Sequence, residues 1–143
     1  MDNDVSKILS DYESRIAVIF INITKYDVMP RIVYDSLGRL LYANDLFLSM
    51  IGYDLSEIAG MDMTKFIYAD DIFHSAYTLN KNMNTLDGLD VLEGYYNRYV
   101  HKDGSIVYIH WIRCYNDKGN HIGSGQCIQV SEDEFNKKCL QQL

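Results

Sequence analysis

The sequence predicts an α+β domain: a five-stranded antiparallel sheet with helices on one face and a flanking helix at each end. Three observations carry this expectation. The apolar period is near two over residues 31–42, near 3.6 in the stretch that ends at residue 84, and near two again from residue 91 to 130. Asp103-Gly104 stands between two alternating apolar runs, the strongest short hairpin signal because both residues tolerate positive φ. The helical signals are gathered into blocks and do not alternate with strands, which argues against a doubly wound parallel sheet.

Each element has its own local basis. Val5, Ile8, Leu9, Tyr12, Ile16 and Ile19 recur at helical spacing behind Asn3 or Asp4 as N-cap, which predicts an amphipathic helix; residues 17–23 also read as an extended apolar run. Pro30, the only proline, marks a break. Ile32-Val33-Tyr34 and Leu40-Leu41-Tyr42 flank the turn residues Asp35-Ser36-Leu37-Gly38, so they read as a hairpin. Asn44 caps the helix that carries Leu46, Phe47, Met50 and Ile51, which sets the expected cost of Asn44→Ala at ~1 kcal/mol. Gly52 ends that helix, and one more turn closes at Gly60. Asp70-Asp71 starts a third helix with Phe73, Ala76, Tyr77 and Leu79 as its apolar positions, broken at Asp87-Gly88. Residues 91–101, 105–115 and 121–130 then read as three strands, and Ser131 with Glu134 forms a capping box for a terminal helix carrying Phe135, Cys139, Leu140 and Leu143.

Composition bounds the function classes. A chain of 143 residues is expected to be one domain, large enough to bury ~70% of the surface its unfolded form exposes. The net charge of −7, spread along the chain, speaks against a broad nucleic-acid or anionic-lipid surface. No run of 18 or more apolar residues is present, and the longest, residues 16–21, is short and follows acidic residues, so neither a spanning segment nor a secretory signal is expected. Cys114, Cys127 and Cys139 lack CxxC spacing and read as reduced thiols, which fits a cytoplasmic chain. No GxGxxG follows a strand and no phosphate-binding loop occurs.

The run Gly38-Arg39-Leu40-Leu41-Tyr42-Ala43-Asn44, followed by Gly52-Tyr53-Asp54-Leu55-Ser56-Glu57-Ile58-Ala59-Gly60, resembles the opening of the PAS family of sensory domains. Asp70-Asp71, Arg98 followed by Lys102-Asp103-Gly104-Ser105, and Asp117 with Gly119 fall where that family has comparable elements. The family's strand-to-helix junction usually begins with Asp; this chain has Gln129-Val130-Ser131-Glu132 instead. The resemblance covers residues 30–131, leaving 1–29 as an N-terminal amphipathic cap and 132–143 as the start of a signalling helix. It implies a PAS-like fold and a cytosolic sensory and dimerisation module of a signal-transduction or transcription-regulatory protein. A small ligand or partner would be sensed between helices and sheet and relayed through the terminal helices. Any catalytic output, such as a histidine kinase or cyclase, would lie in an effector domain elsewhere, as would a helix-turn-helix regulator, so the chain itself is not expected to be an enzyme.

The candidate cavity residues are Phe47, Ile51, Phe66, His74, Tyr77, Tyr95, Asn97, Ile109, Trp111 and Gln126. For Trp111 a core role competes with a cofactor clamp, and Arg98 and Arg113 read either as carboxylate holders or as surface ion-pair partners. His101, His110 and His121 fall on strands or their ends and are candidates to report pH. The expected cofactor is none or one of unknown kind. The alternative is haem, with His74 as iron ligand, because haem-binding PAS proteins carry their ligand on this helix, with an aromatic such as Tyr77 one turn on. Flavin is not expected, since no Cys falls between Asn44 and Asn84. A further alternative is a small cone-shaped α+β enzyme using an Asp with a His or Tyr. Val5, Ile8, Leu9, Tyr12 and Ile16 form one apolar stripe, the candidate interface of a homodimer.

Overall fold

The computed structural model describes residues 14–85 and 87–141. Helix α1 (Ser14–Lys25) takes up the apolar stretch 17–23 as helix, with Phe20 and Thr24 buried and Ile19 and Ile23 about half exposed. Val5, Ile8, Leu9 and Tyr12 lie outside the described residues; Ile16 falls on α1. After Pro30 the chain forms the hairpin β1 (Arg31–Asp35) and β2 (Leu40–Ala43). Asp35, fully buried, builds the turn by accepting from the Leu37 and Arg39 N–H groups and from Arg39 Nε at 2.6 Å.

Asn44 then does more than cap the next helix. Its Oδ1 accepts from the Phe47 N–H at 3.0 Å, which is the cap of α2 (Asp45–Ile51), and from the Arg31 N–H at 3.1 Å. Its Nδ2 donates to the Thr24 carbonyl at 3.1 Å and the Met29 carbonyl at 2.8 Å. One buried amide thereby joins the end of α1, the connecting loop, the start of β1 and the start of α2. Gly52, at φ 80, closes α2 in the left-handed conformation, and its N–H donates to the Leu48 carbonyl. A short α3 (Leu55–Ile58), two 3-10 turns at Met63–Lys65 and Ala69–Asp71, and α4 (Ile72–Thr85) complete the helical block.

The remaining strands are β3 (Gly88–Val100), β4 (Ile106–Asp117) and β5 (Ile122–Gln129). They join the hairpin in one five-stranded sheet of order β2-β1-β5-β4-β3, antiparallel throughout. Asp103 fixes the β3–β4 turn by accepting from the Ser105 N–H at 2.8 Å and hydroxyl at 2.6 Å. Helix α5 (Glu132–Gln141) follows, with the Ser131 hydroxyl accepting from the Glu134 N–H at 3.1 Å.

The two faces of the sheet have different partners. The inner face carries Ile32, Tyr34, Tyr99, Ile109, Trp111 and Cys127, and packs under Phe47, Ile51, Ile58 and Met83 of the helical block. On the outer face α1 lays Phe20 over Val33, Leu41 and Ile122. Farther along that face α5 lays Phe135 against Tyr96 and Tyr108. The flanking helices therefore cover the face opposite the helical block, each with at least one buried aromatic side chain.

Helix α4 corrects one expectation. Phe73 is 84% exposed and Tyr77 60% exposed, while Ser75 and Met83 are buried and Ile72 and Leu79 pack on the core. The rotation of α4 is set by Asp71 at its start, whose carboxylate takes Arg98 Nε at 3.0 Å, Nη2 at 2.8 Å and the Arg98 N–H at 2.8 Å. That clamp turns Ser75 rather than Phe73 toward the sheet.

Two measurements check this account. Replacing Asn44 by Ala leaves several buried backbone groups unpaired, so urea unfolding should show a loss of about 3 kcal/mol or more, not the ~1 kcal/mol of a simple cap. His110 stacks on Tyr96 at 4.3 Å, and burial holds its pKa below the ordinary value. The unfolded chain then binds a proton that the folded chain refuses, so stability should fall as pH drops below about 6.5. His110→Phe should flatten that slope between pH 7.5 and 5.5; an unchanged slope contradicts the assignment.

Candidate functional site

Between α4 and the inner face of the sheet lies a cavity of about 360 Å³. Its floor is Ile32 and Tyr34 of β1, Tyr95, Asn97 and Tyr99 of β3, Trp111 and Cys114 of β4 and Gly125 of β5. Its roof is Ser75, Ala76, Thr78, Leu79 and Asn82 of α4, and the turn Ser36-Leu37-Gly38 and the segment Asp62-Met63-Thr64 also line it. The volume falls in the range of small-molecule sites, roughly 300–1,000 Å³.

Glycines on the last strand make the room. In Ile122-Gly123-Ser124-Gly125 the two glycines share the inner face. A Cβ on Gly125 would stand 2.9 Å from the Trp111 ring, and one on Gly123 would stand 2.7 Å from the Tyr34 ring and against Asn116. The two large rings thus come close to bare backbone where a side chain would displace them.

Polar ties hold the roof to the floor. Trp111 Nε1 donates to Asn97 Oδ1 at 2.8 Å, and Asn97 Nδ2 donates to Ser75 Oγ on α4 at 3.0 Å. The Tyr34 hydroxyl donates to Asn116 Oδ1 at 3.4 Å, and Asn116 Nδ2 donates to the Asn82 carbonyl at 3.3 Å. The Asp71–Arg98 pair secures the start of α4, and the hydrogen bond to Asp71 raises the Arg98 pKa. Burial pushes Tyr34 and Tyr99 well above the ordinary phenol value and also raises Tyr95. All three phenols are neutral at physiological pH.

The cavity draws together Tyr95, Asn97 and Trp111 among the residues expected from sequence. Phe47, Ile51 and Ile109 belong to the surrounding core, with Phe47 edge-on to Tyr99 at 5.9 Å. Phe66 packs against Tyr53 at 5.2 Å. Gln126 is a correction: it faces away from the cavity and donates to both Asp27 carboxylate oxygens, at 3.1 and 2.9 Å. Tyr77 is another, being turned to solvent. His74 is exposed and meets Tyr95 edge-on at 5.4 Å, outside the lining. Arg98 serves as an ion-pair partner, while Arg113 is exposed. Among the described residues no cluster of three or more His, Cys, Asp or Glu side chains is placed to hold a metal.

Sequence reasoning missed Tyr34, Tyr99, Ser75 and the glycine pair. The available signal was Gly-x-Gly within a predicted strand, which marks a close approach by something large.

Comparison with known proteins agrees with this geometry. The family model described as PAS fold matches residues 40–128. A Rhodobacter sphaeroides LOV protein superposes with TM-score 0.66 at 11% identity, covering 84% of this chain and 69% of that one. The PAS-B domain of Drosophila melanogaster Cycle, with bound ethylene glycol, gives TM-score 0.60 at 15% identity, covering 71% of this chain and all of that one. A PAS domain from a two-component sensor histidine kinase gives 0.59 at 14% identity, covering 82% of this chain and all of that one. At these identities the likeness concerns the fold. A search of curated proteins returned no match.

Gly125→Ala should force Trp111 off its place and lower stability by about 1–3 kcal/mol, with a shift in the emission of this single tryptophan. An unchanged melting temperature and spectrum would contradict the packing described.

Proposed function

This chain belongs to the PAS fold family, whose members are sensory modules of signalling proteins, and from that premise we propose that it senses a small ligand in the cavity beneath α4. The observation that carries the reading is the cavity itself, ringed by aromatic side chains and tied to α4 by Ser75, Asn97 and Asn116. A ligand that binds one arrangement of α4 better than another shifts the population between them. Arg98 offers a route outward. It holds Asp71 at the start of α4, and its guanidinium lies 5.1 Å from the Phe135 ring centroid on α5. A displacement of α4 is thereby felt at the terminal helix, and an effector domain of kinase, cyclase or helix-turn-helix type attached beyond it would read the change.

The module works as a cytosolic homodimer in this reading. Ile19 and Ile23, 49% and 51% exposed on α1, extend in sequence the apolar stripe of Val5, Ile8, Leu9, Tyr12 and Ile16. Like faces meeting about a two-fold axis would bury that stripe.

Thermal-shift screening against a small-molecule library, with native mass spectrometry of the purified chain, tests the sensor. Wild type should be stabilised by at least one compound, and Thr78→Phe, which fills the cavity, should respond to none. A hit that stabilises both alike binds elsewhere and contradicts the reading. For assembly, sedimentation should give a dimer for wild type and a monomer for the Ile19→Glu, Ile23→Glu double variant. A monomeric wild type at high micromolar concentration would end the dimer proposal.

A further inference from the structure

Most polar groups around the cavity already have partners. Trp111 donates to Asn97, Asn97 to Ser75, and Tyr34 to Asn116. Tyr99 is the exception on the floor: it is 2% exposed, and its hydroxyl is buried without a hydrogen-bond partner. Its ring is held edge-on by Phe47 at 5.9 Å and lies 6.3 Å from Trp111, so the hydroxyl has little freedom to swing toward solvent. A buried hydroxyl left unpaired is costly, and native folds keep few of them.

The charge pattern adds a second constraint. Among the described lining residues only Asp62 is charged, and it is exposed, accepting from the Thr64 N–H and hydroxyl. None of the described lining residues is a cation, so an anionic ligand would lose its hydration with no countercharge from them to replace it. The aromatic lining of Tyr34, Tyr95 and Trp111 favours flat ligands. A dry apolar cavity of about 150 Å³ accepts benzene, and this one, at about 360 Å³, has room for a second ring.

We propose that the cavity binds a neutral, flat, largely apolar molecule of one or two fused rings, bearing an acceptor that takes a hydrogen bond from the Tyr99 hydroxyl. The acceptor is a carbonyl oxygen or a ring nitrogen. This rests on the reading of the cavity as a ligand site. Tyr99 supplies orientation and selectivity, and the rings supply most of the contact. Burial keeps the Tyr99 phenol protonated, so the donor is present across the physiological pH range.

Three probes of similar shape test the proposal by titration calorimetry: 2-acetylnaphthalene, 2-ethylnaphthalene and 2-naphthoate. Each is titrated into wild type and into Tyr99→Phe. The expected result is that the ketone-to-hydrocarbon affinity ratio is about tenfold higher in wild type than in Tyr99→Phe, the worth of one hydrogen bond in a buried site. Hydrocarbon affinity should be unchanged by the substitution, and naphthoate should bind at least ~100-fold more weakly than the ketone. Tyr99→Phe should melt no lower than wild type, because it removes an unpaired group. An equal ratio in both proteins overturns the proposal while leaving the cavity as a ligand site, and points to a buried water as the partner of Tyr99. Preference for naphthoate overturns it as well. Binding of none of the three overturns the proposal, while the cavity reading stands or falls on the library screen and its Thr78→Phe control. Should Tyr99→Phe be unfolded, the wild-type affinities still decide: naphthoate at or above ketone affinity refutes the charge argument, and a ketone no tighter than the hydrocarbon refutes the donor.

Discussion

The Asn44 side chain is the constraint on which the rest of the structure hangs. An amide has two donor hydrogens and two acceptor lone pairs, and Asn44 uses four interactions to bind four separate pieces of backbone. No other residue type offers that set at that length. Asp lacks the donors, Ser has one hydroxyl, and Gln is a methylene longer. Through this one group the end of α1, the entry to β1 and the start of α2 are fixed together. The helical block therefore leaves the sheet at a defined point and angle.

The cavity is a consequence of where that block is tied next. Asp71–Arg98, Ser75–Asn97 and Asn82–Asn116 pin α4 to the sheet at its beginning, middle and end. Each tie is polar and spans from helix to strand, which keeps α4 at a hydrogen-bonding distance and stops it collapsing onto the apolar floor. On the opposite side Gly123 and Gly125 let Tyr34 and Trp111 sink against β5. Empty volume of this kind lowers stability. A ligand that fills it and binds only the folded chain restores stability by mass action. That linkage is the physical basis of a sensor.

Local signals were legible in the sequence and long-range ones were not. The Asn44 cap, the Asp103-Gly104 turn and the Ser131 cap each depend on residues within four positions, so the sequence displayed them. The rotation of α4 depends on Arg98, 27 residues beyond Asp71, and Phe73 and Tyr77 looked like the buried face because apolar spacing was the only cue. The last strand misled differently. Ile122, Ser124, Gln126 and Ile128 alternate with Gly123, Gly125 and Cys127, and both faces of this central strand are covered. Ile122 lies under α1 while Gly125 lines the cavity, so alternation could not tell which face held the site. Gln126 was placed on the wrong side for that reason. The expected helix at each end is present in the described residues, but its docking on the outer face rests on tertiary partners of Phe20 and Phe135 that no local pattern marks.

One side chain links the roof of the cavity to the terminal helix. Arg98 grips Asp71 at 2.8 Å, stacks over Tyr68 at 4.4 Å and reaches Phe135 of α5. The most direct test of that connection is amide hydrogen exchange across α5, measured with the cavity empty and with a bound ligand. The account predicts that filling the cavity changes protection in α5 as well as in α4, and that Arg98→Ala abolishes the change in α5 while α4 still responds. Exchange in α5 that is blind to the ligand would contradict the central claim.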